Sequence, residues 1–117
     1  MAKILPSEIV PALRASGDPL AEDLLNRLDG AAGEGPTAKV TRPFSRRQAL
    51  RIYQQKAELG DRAQVRTEGY PRLFAALGEA PDADVILHGV TFADVVYLVF
   101  TDPSRTHCVG VLRKVRM

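Results

Sequence analysis

Tryptophan is absent from these 117 residues, cysteine occurs once and histidine twice, and aromatic side chains make up only 6% of the chain. A lone Cys108 cannot close an internal disulfide, so the framework of a small secreted domain is excluded and a reducing, cytoplasmic setting is the default. With so few aromatics, the core has to be built from Leu, Val, Ile and Ala. Long apolar runs are missing too. The opening residues, Met1 to Pro6, do not contain the apolar stretch of about 7 to 15 residues that a signal peptide needs. Nothing approaches the roughly 18 apolar residues of a membrane span, so no membrane association is expected. Asparagine appears once, at Asn26, and arginine outnumbers lysine twelve to four, a bias expected of a small protein from a GC-rich bacterial genome.

Charge is nearly balanced overall, at +2, but unevenly placed. Residues 42–72 carry eight basic side chains against Glu58, Asp61 and Glu68, while the segments on either side are slightly acidic. Positive potential is therefore a property of the middle of the chain, and it favours an acidic partner there.

The length suits one domain, 1–117, and the element pattern predicts an α+β fold. In residues 1–29, Ser7 opens a short helix that Gly17 stops. Asp18 then caps a second helix with Pro19 at its first position and Leu20, Leu24, Leu25 and Leu28 on one face. Residues 30–44, including the Gly30-Pro36 loop, break the pattern with three glycines and two prolines. Gly30, Gly33 and Gly35 lack both the lysine ending of a phosphate-binding loop and the strand context of a dinucleotide site, so they read as turn or linker chemistry. Thr37 to Arg42 is a candidate for a short edge strand.

Residues 45–78 hold the clearest helix, Arg46 to Leu59, capped by Ser45 and stopped by Gly60. Ala49, Leu50, Tyr53 and Ala57 point inward, flanked by Ile52 and Leu59. Asp61 to Glu68 is expected to add a helical turn or two, and Pro71 to Gly78 a further short helix. Residues 84–116 then form a three-stranded antiparallel meander: Val85 to Val90 with a bulge at Gly89, Val95 to Thr101, and His107 to Val115. Asp102 and Pro103 suit the first two positions of the turn between the last two strands. The middle run Val95-Val96-Tyr97-Leu98-Val99-Phe100 has no charged or amide residue, so it needs cover on both faces. The N-terminal helical pair is one candidate for the second cover, and a second copy of the chain, giving a homodimer through the sheet, is the other.

No catalytic constellation stands out, and the chain reads as non-enzymatic. His88, His107 and Cys108 are the only imidazole or thiol groups, and sequential strand residues point to opposite faces, so at most one of His107 and Cys108 can join His88. Neither a zinc site, even with Asp84 or Asp94 added, nor a Cys108 and His88 dyad has enough support, and no metal or cofactor is expected. Three functions remain open. The leading expectation is a small binding or regulatory protein, of adaptor or inhibitor type, that docks an acidic protein through Arg46, Arg47, Arg51, Arg62 and Arg66. The second is nucleic-acid binding through Arg46-Arg72, where Ala57 to Arg66 has the outline of a helix-turn-helix with Gly60 at the turn, one residue short of the common spacing. The third is a small-ligand or enzymatic pocket between helices and sheet, holding His88, Tyr97, His107 or Cys108.

Overall fold

The computed structural model describes residues 2–3, 6–30, 37–60 and 64–116. It is a mixed helix and sheet fold in which β6, Val95–Thr101, is the central strand. The expected meander is present as β5 (Asp84–Thr91), β6 and β7 (Cys108–Arg116), all antiparallel, but it is the middle of a larger sheet. On one side β2 (Thr37–Val40) pairs with β5, and β1 (Ala2–Lys3) pairs with β2. On the same edge of β5 the two-residue β3 (Phe44–Ser45) follows β2, and on the other side of the sheet β4 (Val65–Glu68) pairs with β7. The segment around Thr37 is thus a strand, though β1 rather than β2 lies at the margin.

Several expectations are overturned. Val65 to Glu68 is a strand, not a helical turn, because its Val65-Arg-Thr-Glu alternation lets Val65 and Thr67 take one face and Arg66 and Glu68 the other. With Val65 in a sheet, the helix-turn-helix has no second helix; Asp61 to Ala63 lie outside the described residues. The bulge is not at Gly89, which pairs regularly with Leu98; it falls opposite Thr101, where β7 gains one residue between Cys108 and Gly110.

The cover comes from helices on both faces. A 3-10 turn at Pro6–Ile9 leads into α1 (Val10–Ser16), and α2 (Pro19–Gly30) follows. The α-helix starts at Val10 with Ile9 in the cap position and Pro11 in the first turn, so Ser7 is not its cap. Gly17 ends α1 at φ 69°, and Asp18 caps α2 by accepting from the Leu20 amide at 2.9 Å. Ile9, Leu13, Ala21 and Leu24 meet Val90, Val95, Tyr97, Val99 and Val111 on one face. On the other, α3 (Arg46–Leu59) and α4 (Tyr70–Glu79) place Ala49, Tyr53, Leu73 and Leu77 against Val85, Phe100 and Leu112. The edge of the Tyr53 ring meets Phe100 at 5.1 Å. Both faces of β6 are therefore covered from within the chain, which removes the reason for expecting a homodimer there. Ser45 caps α3 as read from the sequence, through the Gln48 amide, but Leu59 is 79% exposed rather than flanking the core.

Where α4 meets β7, two glycines let backbone and side chains approach closely. Gly69 sits at φ 106°, and a Cβ there would lie 2.5 Å from the Val111 carbonyl oxygen; one on Gly110 would lie 2.9 Å from a Leu73 methyl. Gly89 faces open space. We expect Gly69→Ala to cost at least about 2 kcal/mol, and Gly110→Ala less, since part of its contact is a mobile side-chain tip. Gly89→Ala should be neutral or slightly stabilising. Denaturant midpoints of the three variants check this ranking.

Candidate functional site

The outer face of α3 is where the sequence placed a docking surface. Helical spacing divides it into two stripes: Arg47, Arg51, Gln54 and Glu58 recur at i, i+4, i+7 and i+11, and Ile52, Gln55 and Leu59 run beside them. Arg47, Arg51, Gln54, Gln55 and Glu58, with half-buried Leu50 and Pro81, line an open groove of about 580 Å³. The helix start is held by backbone bonds from the Arg46 and Arg47 amides to the carbonyls of Ala83 and Pro81, so the Pro81 loop forms one groove wall at a fixed distance.

The five arginines do not form one patch. Arg47 is exposed and ion-paired with Asp82 at 2.9 Å, and Arg51 is exposed with no ion pair among the described residues. Arg46 turns inward instead: its Nη1 reaches the Ala76 carbonyl of α4 at 3.4 Å and its Nε is buried. Arg66 belongs to the opposite layer, since it pairs in register with Val115, whose side chain packs on the α1 and α2 side, and it bonds Glu68 at 3.0 Å. Arg62 lies outside the described residues. Arg47 and Arg51, with Lys56 over the Tyr53 ring, are what α3 presents.

The sequence reading missed a polar network beneath α2. Arg113, the one arginine in mid-β7, donates through Nη1 to Asp23 of α2 at 2.8 Å and through Nη2 to Glu68 of β4. Tyr97, fully buried on β6, donates its hydroxyl to the same Asp23 carboxylate. That phenolic bond, with help from Arg113, holds the Asp23 carboxyl below the usual carboxylate range despite burial, while burial and the Asp23 charge push the Tyr97 phenol up to about 12. A neutral phenol and a guanidinium thus share one carboxylate, tying α2, β4, β6 and β7 together. The signal was available: an arginine inside an apolar strand and a tyrosine inside an uncharged run each require a buried partner.

His88 and Cys108 share no hydrogen bond among the described residues, although His88 bonds Thr101, which pairs with Cys108 across the ladder. His88 is fully buried, with Nε2 at 2.8 Å from Thr101 Oγ1. His107 is not in a strand; it sits in the hairpin loop, 83% exposed, beside Thr106 and Asp102. Cys108 opens β7, where its thiol reaches the Gly110 carbonyl at 3.9 Å and burial pushes it up to about 11, so it is protonated at neutral pH. Among the described residues no three His, Cys, Asp or Glu side chains converge as metal ligands, and no helix is long and apolar enough to cross a membrane. The Asp102 carboxylate orders the hairpin loop, accepting from the Thr106 and His107 amides at 2.8 and 2.9 Å.

No protein-family model matches the chain, and no curated protein or solved structure matches it significantly.

The exposed arginines of α3 and the partly buried Arg113 should separate cleanly in stability. Arg47→Ala or Arg51→Ala should change unfolding free energy by less than about 0.5 kcal/mol, as exposed ion pairs do. Arg113→Ala removes the cation shared by the Asp23 and Glu68 carboxylates and should cost about 2 kcal/mol or more. Urea titrations of the three variants measure the difference.

Proposed function

We propose that this chain is a small non-enzymatic binding protein, adaptor or inhibitor in type, that presents the outer face of α3 to an acidic protein segment. The observation that carries the reading is the pairing of the two stripes: Arg47 and Arg51 in water on one, and Ile52 and Leu59 exposed on the other. These two are the exposed large hydrophobic side chains among the described residues. A cationic row beside an apolar row complements a segment that carries carboxylates along one edge and an aliphatic side chain along the next. The arginines favour encounter and register, and Leu59 supplies the desolvated contact that surface charges alone do not.

The same division argues against phosphate polymers as the partner. Affinity for nucleic acid grows with the number of cations that reach phosphates. Arg66 faces the other layer, Arg46 is engaged by α4, and Glu58 sits within the cationic stripe. Exposed leucine has no part in backbone contacts to a duplex.

The test is capture of partners from the native host by the wild-type chain, followed by affinity measurement with the purified species. Leu59→Ala and the Arg47→Ala, Arg51→Ala pair should each weaken binding by at least about tenfold, the size of a modest interface contact, and Arg66→Ala should leave it unchanged. Equal weakening by Arg66→Ala, or tight salt-dependent binding to duplex DNA in the absence of protein, would overturn the reading.

A further inference from the structure

His88 is a buried histidine whose hydrogen bonding is incomplete, and the direction of its one bond can be worked out. The Thr101 hydroxyl donates to the Asp102 carbonyl at 3.0 Å, which uses its only proton. Toward His88 the same oxygen must therefore accept, so Nε2 at 2.8 Å carries the hydrogen and Nδ1 is left with a bare lone pair. Nδ1 is buried and has no hydrogen-bond partner among the described residues. A protonated ring in this place would add a second buried N–H with nothing to receive it, together with a charge.

The side of the sheet that His88 faces is closed by the N-terminal segment. Val40 and Val99 pair in register with His88, Ile9 and Leu13 share one cluster with Ala38, Val90 and Val99 on that face of the sheet, and Glu8 of the 3-10 turn acts electrostatically on the imidazole. This lid is short, and its anchorage is largely apolar, through buried Ile9, Ala12 and Leu13. It consists of the 3-10 turn and the seven-residue α1, whose cap residue Ile9 offers no side-chain hydrogen bond, and Glu8 links it to the hairpin loop through Arg105 at 3.1 Å. A helix this short depends on its packing for stability. Glu8 and Arg105 are also the charged groups among the described residues that act on the imidazole, in opposite senses.

From this geometry we infer that His88 and the N-terminal segment form an acid-sensitive latch: protonation of His88 is accommodated by lifting the 3-10 turn and α1 off the sheet, which exposes Nδ1 to water and separates Glu8 from Arg105. Burial, reinforced by the Arg105 charge and partly opposed by Glu8, lowers the closed-state imidazole to about 4. In the open segment the ring titrates at its ordinary value near 6.5. A base whose affinity for protons is depressed in the closed form favours that form above the higher value and loses the advantage as pH falls toward the lower one. Between pH 7 and 5 the open population should therefore rise about twentyfold.

Amide hydrogen exchange of the wild-type chain at pH 7 and pH 5, corrected for intrinsic rates, reads this directly. The expected result is about twentyfold faster opening at the amides of α1 and β2, with little change at those of α3 and α4, and loss of that acid response in His88→Leu. Should His88→Leu fail to fold, nitrogen chemical shifts of the wild-type imidazole decide instead: they should show the Nε2–H form at pH 7 and protonation only as α1 loses its protection. An acid response that survives in His88→Leu, that spreads equally to α3 and α4, or an imidazole that protonates near 6.5 while α1 stays protected would each overturn the latch.

Discussion

A strand with apolar side chains on both faces is the constraint from which the rest of this fold follows. Val95, Tyr97 and Val99 face one way and Val96, Leu98 and Phe100 the other, so β6 leaves water only if something lies above it and below it. Strands on either side satisfy its backbone, and two separate helical pairs satisfy its side chains. The helices are divided in sequence accordingly, α1 and α2 before the sheet begins in earnest and α3 and α4 inserted between its edge strands. The outer surfaces of those helices are what the protein has left to present to a partner.

Polar groups enter this apolar interior on strict terms. Tyr97 is admitted to the central strand because Asp23 descends from α2 to accept its hydrogen bond, and Arg113 because Asp23 and Glu68 flank it. Asp102 orders its loop by taking two backbone amides. Three buried nitrogens depart from this rule among the described residues, Nε of Arg46, Nε of Arg113 and Nδ1 of His88, and only the last is on a side chain that can gain a proton there. The arginines that can meet a partner are those left over once α4 has engaged Arg46 and Glu68 has engaged Arg66.

Much of this was legible in the residues, and the failures have physical causes. Ser45 and Gly60 bound α3, Asp18 caps α2 and the Asp102 turn closes β6 onto β7, because capping and turn chemistry are local. The need for two covers on β6 was also readable from its composition. The additional strands were not: β1, β3 and β4 have two to four residues each, too few for alternation to stand out, and they are strands only because β2, β5 and β7 offer them edges. The five arginines looked like one patch because sequence proximity was taken for proximity in space. Arg66 lies on β4 and faces the α1 and α2 layer, whereas Arg47 lies on α3 in the other layer. Asp23, in the first turns of α2, suits the positive end of a helix by local rules alone, and nothing local points to its partner seventy-four residues away.

The account rests on both helical pairs covering β6 within the same chain. Isotope-filtered nuclear Overhauser spectroscopy on an equimolar mixture of labelled and unlabelled protein tests that most directly. Methyl contacts from Leu13 and Leu24 to Val95 and Val99, and from Leu73 and Leu77 to Phe100, should appear as intramolecular signals and vanish from the filtered spectrum. Persistence of either set between labelled and unlabelled chains would show that one face of the strand is covered by another molecule, and would contradict the account.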